Sequence, residues 1–246
     1  MPEENTYKEA LSHKIFEYIS EAAENLSLET YAIGGFVRDY FLERGEAKDI
    51  DIVAVGSGIA LAEEVSRLLP HQPKVQVFKT YGTAMLRAFD LEVEFVGARR
   101  ESYTENSRNP EVEQGSLEDD QNRRDFTINA LALQLNKENF GKLLDPFNGL
   151  EHLKQQLIKT PLAPGVTYSD DPLRMMRAIR FATQLGFKIE EASLDAIIEN
   201  HKRIKIISRE RIVEEINKIL ASEKPSIGFA LLRKTKLLPI ILPELS

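Results

Sequence analysis

Residues Tyr31–Val53 read Y-A-I-G-G-F-V-R-D-Y-F-L-E-R-G-E-A-K-D-I-D-I-V, and the periodicities inside this stretch decide the fold. A short apolar run, Tyr31-Ala32-Ile33, leads into Gly34-Gly35, and a helix-like segment follows with Arg38 and Asp39 near its start. Lys48–Val53 then alternates polar and apolar residues, the pattern of a half-buried strand. Alternation projects Asp49 and Asp51 on one face while Ile50, Ile52 and Val53 favour the core. Two carboxylates spaced ~6–7 Å along a strand can share a pair of divalent cations. A glycine pair before a helix offers bare backbone N–H groups to a phosphate. Taken singly, Gly-Gly is most often a turn and D-x-D a solvated strand end. Together, in the order strand, glycines, helix, turn, acids, they suggest nucleotidyl transfer.

Working outward, Lys8–Leu26 carries Leu11, Ile15, Tyr18, Ile19, Ala22 and Leu26 at helical spacing and predicts one amphipathic helix. Gly56-Ser57-Gly58 turns the chain into a second helix, Ile59–Leu69, closed by Pro70. Three strand-like runs follow, Val75–Phe78, Thr83–Arg87 and Leu91–Val96, and the short Phe89-Asp90 gap favours a hairpin. In the last run Glu92 and Glu94 share a face opposite Val93 and Phe95; either an exposed strand face or a third acid for the Asp49/Asp51 site would explain them. Glu101–Asn122 has almost no apolar periodicity and predicts a loop.

Two further blocks carry charge. In R-R-D-F-T-I-N-A-L-A (Arg123–Ala132), Arg123 and Arg124 suit triphosphate oxygens and Asp125 could accept from a ribose hydroxyl. The competing reading is a helix with Phe126, Ile128 and Leu131 inward and solvated arginines. In Tyr168–Phe187, Ser169 or Asp170 is expected to cap a helix with Pro172 in its first turn and Gly186 as its stop. Asp171, Arg174, Arg177 and Arg180 recur every third residue as a polar stripe, with Leu173, Met176, Ile179 and Leu185 directed to the core. Glu191–Asn200, Ser208–Leu220 and Pro225–Leu237 read as helices.

The 246 residues can bury a sizeable core, and 42% hydrophobic with 29% charged is ordinary globular composition. There is no cysteine, hence no disulfide and no thiolate metal site. No apolar run is long enough to span a membrane and no export signal is evident, so cytoplasmic residence is expected. The net charge of −7 disfavours a nucleic-acid partner at first sight, but Asp171–Ser246 holds 14 Lys and Arg against 10 Asp and Glu.

The G-G-F-V-R-D…D-I-D block, R-R-D-F-T-x-N-A-x-A and Y-S-D-D-P-L-R-M-M-R together resemble the polymerase β-like nucleotidyltransferases, in the branch of bacterial class II tRNA CCA-adding enzymes and poly(A) polymerases. Leu143–Gly149 (L-L-D-P-F-N-G) and Ser208-Arg209-Glu210-Arg211 match further motifs of that family, and Arg108-Asn109-Pro110-Glu111 marks its mobile loop. The resemblance implies an α+β fold: a catalytic head of a small mixed sheet with flanking helices over 1–150, then an all-helical neck over 151–246. It implies that Asp49 and Asp51 ligate two Mg²⁺ ions with Glu94 assisting, and that Gly34, Gly35, Arg38 and Arg124 hold phosphates. Asp125 and Asn129 would lie near the ribose. Asp171 and Arg174 would act as an amino-acid template, with Arg177 and Arg180 near the nucleotide or primer end. A carboxylate accepting from the exocyclic amine and a guanidinium donating to the ring acceptor would favour cytosine and adenine over uracil and guanine. The expected partners are CTP, ATP and the tRNA 3′ end, with no membrane. A poly(A) polymerase, which shares all three blocks, is one alternative expectation; because relatives continue past Leu242–Ser246 into a helical body and tail, an RNA-binding fragment without turnover is another.

Overall fold

The structure, a computed structural model, describes residues 6–45, 48–102 and 111–245. Two compact units can be separated among them. One takes in Met1–Glu101, Val112–Asn122 and Ile128–Leu150, the other Ser102–Glu111, Arg123–Thr127 and Glu151–Ser246.

The first unit is built on β1 (Thr30–Ile33), β2 (Asp49–Ala54), β3 (Gln76–Phe78), β4 (Thr83–Ala88), β5 (Leu91–Gly97), β8 (Ala132–Gln134) and β9 (Leu143–Leu144), in the order β3-β4-β5-β2-β1-β8-β9. Only β2 and β5 run parallel; the other neighbours are antiparallel, so the sheet is mixed. The parallel pair requires a crossover, supplied by α3 (Gly58–Leu68), which packs on β4 and β5 and against α1 (Ile15–Leu26). Ser57 caps α3 by accepting from the Ala60 N–H at 3.1 Å. Val93, Phe95, Ile50 and Ile52 are buried on one sheet face. Val53 lies on the other, buried with Tyr31, Ile33, Ala98, Leu117 and Ala132, so the apolar alternation of β2 serves two core layers. The β4–β5 hairpin turns on Phe89 and Asp90, whose φ values of 54° and 63° give the left-handed pair that matches strand twist.

Several sequence expectations are corrected. Lys8–Leu26 is not one helix: a 3₁₀ turn over Lys8–Leu11 is separated from α1, and His13 Nδ1 accepts from the Ile15 N–H at the break. Glu101–Asn122 is not wholly loop. β6 (Arg99–Ser102) and β7 (Glu111–Gln114) form a two-stranded sheet, and α4 (Leu117–Asn122) follows. A capping box starts α4: Ser116 Oγ accepts from the Asp119 N–H and the Asp119 carboxylate accepts from the Ser116 N–H. Residues 103–110 of the expected mobile loop, with most of its Arg108–Glu111 match, lie outside the described residues. Past β9, the Asp145 carboxylate accepts from the N–H groups of Gly149 and Leu150 at 2.6 and 2.9 Å, opening α5 (Gly149–Lys154).

The second unit contains α6 (Pro164–Asp170), α7 (Leu173–Leu185), α8 (Glu191–Asn200), α9 (Arg209–Leu220), α10 (Pro225–Lys234) and α11 (Leu238–Ile241). Besides helices, its described residues from Glu151 onward form one two-residue parallel ladder, β10 (Leu157–Ile158) with β11 (Lys188–Ile189). Neither Ser169 nor Asp170 caps α7; both belong to α6. The break falls at Asp171, extended at φ −129° as the residue before Pro172 must be, and its Oδ1 accepts from the Leu173 N–H at 3.1 Å. Gly186, at φ 71°, ends α7 as expected. Gly228 of α10 meets α7 and α9 so closely that a Cβ there would lie 2.5 Å from an Ile219 methyl and 2.8 Å from the Thr183 hydroxyl.

Candidate functional site

In the first unit, strand register does the assembling. β2 and β5 run parallel with Asp49 opposite Glu92 and Asp51 opposite Glu94. Partners in register share a sheet face, so the two aspartates and two glutamates project together. The two glutamates differ in what they face. Glu92 is paired with Arg87, whose guanidinium lies 2.6 Å away across the β4–β5 hairpin. Glu94 sits beside Asp51, and its carboxyl is pushed above the usual carboxylate range by desolvation against the sheet and then by the Asp51 charge; Arg99 and the Thr83 hydroxyl pull it down. A carboxylate raised by an acidic neighbour is the electrostatic situation that a cation relieves. The donors are all hard oxygens, which suits Mg²⁺. Among the described residues, no group of three such side chains closes into a metal-ligating cluster.

At the other end of the Tyr31–Val53 stretch, Gly34 has φ 82° and ψ −132°, backbone that only glycine adopts without strain. It starts α2 (Gly35–Phe41), and its N–H donates to the Leu131 carbonyl at 3.3 Å. One turn on, Arg38 is buried. Its Nε and one terminal nitrogen donate to the Asp39 carboxylate at 2.9 and 2.8 Å, and the other terminal nitrogen donates to Asn129 Oδ1 at 2.8 Å. The structure thus joins Arg38 and Asn129, two expected site residues 91 positions apart.

In the second unit, Arg123–Thr127 packs with α7. The helix considered for this block does not form: Asp125 Oδ1 captures the Phe126 N–H at 2.8 Å, Thr127 N–H goes to the Lys159 carbonyl, and only a 3₁₀ turn, Thr127–Asn129, results. Phe126, Ile128 and Leu131 are nonetheless fully buried. Arg124 is half-buried. Asp125 is 8% exposed and bonded to Arg177 at 2.6–2.7 Å.

The stripe on α7 is not a solvated one. Arg174 and Arg180 are buried, and Leu173, Met176 and Ile179 lie in the core. Arg174 donates to the Arg123 carbonyl at 2.6 Å. Arg180 turns to Glu215 of α9 at 2.6 Å, bonds Gln184 at 2.9 Å, and stacks over the Phe181 ring. Asp171 is half-buried, with Arg211 of α9 3.5 Å from its second oxygen. Sequence reading gave no role to Thr83, Arg99 or Arg211; only Arg211 carried a signal, within the Ser208–Arg211 motif.

No helix among the described residues is long and apolar enough to cross a membrane. Residues 30–159 match the family model of the poly A polymerase head domain, and residues 186–246 match that of the probable RNA and SrmB-binding site of polymerase A. The chain is 39% identical over 217 residues to an A-adding tRNA nucleotidyltransferase of Aquifex aeolicus, covering 87% of this chain and 26% of that protein. It is 36% identical over 242 residues to a CCA-adding enzyme of Anoxybacillus flavithermus, covering 98% of this chain and 56% of that one. Among solved structures, a tRNA nucleotidyltransferase complexed with a primer tRNA and an incoming ATP analogue superimposes with a TM-score of 0.79 at 35% identity, over 91% of this chain and 62% of that one. A CCA-adding enzyme with ATP gives a TM-score of 0.82 at 29% identity, over 97% and 54%. The chain therefore spans between a quarter and just over half of these two curated relatives.

Proposed function

The chain belongs to the poly A polymerase head-domain family, and from that premise we propose that it is a metal-dependent nucleotidyltransferase adding C and A to the 3′ end of tRNA from CTP and ATP, in the cytoplasm. The observation that carries the reading is the β2–β5 register, which sets Asp51 beside Glu94 with Asp49 two residues away on the same face. An RNA 3′-hydroxyl would attack the α-phosphate and pyrophosphate would leave. Asp49 and Asp51 would hold two Mg²⁺ ions, which when bound lower the pKa of the attacking hydroxyl and offset charge on the triphosphate. Glu94, on the same strand face in register with Asp51, would help the attacking hydroxyl lose its proton.

The first unit would handle phosphates through the backbone N–H of Gly35, with the Gly34 N–H taken by the Leu131 carbonyl, and through Arg38, kept in place by Asp39 and Asn129. In the second unit, Arg124 would add a further phosphate contact and Asp125 would accept from the ribose. Asp171 and Arg174 would read the base. Arg180, committed to Glu215, is better suited to fixing α7 on α9 than to touching nucleotide.

A second reading, addition of A alone, is favoured by the likeness to the Aquifex aeolicus A-adding enzyme. Transcripts ending in the discriminator base, in -C and in -CC, each given one nucleotide, distinguish the two. Ordered C, C, A addition is expected for a CCA-adding enzyme. Incorporation confined to A on the -CC end supports the second reading, and processive tailing with ATP would instead indicate a poly(A) polymerase. Binding of CTP and ATP without extension of any transcript would mean a nucleotide-binding fragment.

A further inference from the structure

Past the acids, the same face of the first unit's sheet runs on to an open edge. Across β2, β5, β4 and β3 the register aligns Asp51, Glu94, Met85 and Gln76 in one row, and Phe78 lies two residues beyond Gln76 on that face, opposite Thr83. Neighbouring strands lie ~4.8 Å apart, so the row is roughly 14 Å long. The opposite face is closed by buried Ala84, Leu86, Val93 and Phe95. On the open face Met85 is half-buried, Gln76 is exposed, and Phe78 is 45% exposed at the end of the outermost strand. A 3₁₀ turn, Lys79–Tyr81, follows, with Tyr81 69% exposed. Residues 65–89 are the chain's longest run without Asp or Glu, and they hold Arg67, His71, Lys74, Lys79 and Arg87. Arg67 and Arg87 are paired with Glu64 and Glu92, whereas Lys74 and Lys79 make no ion pair among the described residues.

We propose that this edge is a platform for the single-stranded end of the RNA being extended: a base upstream of the reacting 3′-hydroxyl stacks on Phe78, and the adjoining phosphates meet Lys79 and Lys74. The inference rests on the nucleotidyl-transfer reading above and gives the RNA of that reaction its place. On one side of β2, β1 leads into Gly34 and α2, assigned above to the triphosphate. In-line displacement sets the attacking oxygen opposite the leaving pyrophosphate, which puts the RNA on the other side, over β5, β4 and β3. A base offers a π-face to an exposed ring and a phosphate offers an anion to a lysine, so single-stranded RNA satisfies both features of the edge at once. An acid-free surface in a chain of net charge −7 also favours an anionic partner. A protein strand is the poorer occupant, because β3 is only three residues long and flanked by lysines, the form of an edge that resists strand addition.

The test measures equilibrium binding of a short single-stranded RNA ending in -CC, with 2-aminopurine upstream of that end so that its fluorescence reports stacking. Binding of CTP and ATP, single-nucleotide addition, thermal melts and sedimentation are followed alongside. The proteins are wild type, Phe78→Ala, Phe78→Leu, Phe78→Trp and Lys79→Gln. Phe78→Ala and Phe78→Leu are each expected to weaken RNA binding about tenfold and to abolish the fluorescence change, while CTP and ATP binding stays within about twofold. Phe78→Trp should keep both RNA signals because it retains a ring, and Phe78→Leu is the reporting variant if Phe78→Ala melts below the assay temperature. Lys79→Gln should make the slope of log affinity against log[salt] shallower by about 0.7. Unchanged RNA affinity and fluorescence in the Ala and Leu variants would overturn the proposal, as would equal losses of RNA and nucleotide binding, the mark of a structural role. Lost self-association in those variants with RNA binding intact would overturn it in favour of strand addition. If wild type binds RNA through Phe78 yet adds no nucleotide, transfer fails alone and the platform stands. If wild type adds nucleotides and the Phe78 variants match it in RNA binding, the platform falls alone.

Discussion

Glu92 and Glu94 stand two residues apart on one strand face, and their partners give them different chemistry. Glu92 is neutralised by Arg87, while Glu94 shares its neighbourhood with Asp51. Glu94→Gln is therefore expected to lower the rate of nucleotide addition by about 10²-fold or more, and Glu92→Gln by no more than a few-fold, in single-turnover kinetics. Similar losses in the two variants would remove Glu94 from its proposed role. A second expectation concerns Gly34, held at φ 82° and ψ −132°. Gly34→Ala must carry a side chain in that conformation, at a cost of about 1–3 kcal/mol. The denaturation midpoint of the variant should fall accordingly, and an unchanged midpoint would show that the segment relaxes freely.

At the scale of elements, the capping box at Ser116 and Asp119 makes a pH-dependent expectation. Asp119 accepts from the Ser116 backbone and hydroxyl and from Arg100, which together lower its pKa to about 2. A depressed carboxylate contributes stability that is present above its unfolded pKa near 3.8 and is lost as pH falls through the folded value. Amide-exchange protection of α4 should hold at neutral pH and fall between about pH 4 and pH 2, and Asp119→Ala should show the low-pH behaviour at pH 7. Gly228→Ala is expected to destabilise by about 1–3 kcal/mol in thermal unfolding, through collision with Ile219 and Thr183. These features also show which elements the sequence disclosed. β2, β4, β5 and the Gly34-Gly35 turn were readable because period-two alternation and glycine act locally. α4 was not, because the short helix starts on a polar cap within a stretch lacking apolar period. The division of α6 from α7 was missed because Pro172 fits a first turn as well as a break, and the extended Asp171 before it decided the matter. Continuous apolar spacing likewise concealed the interruption before α1. The pairs Arg38–Asn129, Arg177–Asp125 and Arg180–Glu215 lie 91, 52 and 35 residues apart, and no local pattern could have joined them. The division of labour along α7 is a product of tertiary packing.

For the whole molecule, charge and chemistry divide along the chain. The acids of β2 and β5 belong to the first unit, while Asp171–Ser246 in the second carries 14 Lys and Arg against 10 Asp and Glu. RNA affinity, measured against salt, is accordingly expected to weaken as log[salt] rises, with a slope that becomes shallower when second-unit lysines and arginines are removed. In the proposed function, Asp49 and Asp51 are the residues that make this chain a nucleotidyltransferase. The measurement that tests it most directly is the rate of CTP and ATP addition to tRNA transcripts in Mg²⁺, wild type beside Asp49→Ala/Asp51→Ala, with nucleotide binding and melting followed in parallel. The expected result is addition of C or A, with little from GTP or UTP, abolished in a variant that remains folded. Extension at an undiminished rate in the folded double variant would contradict the account.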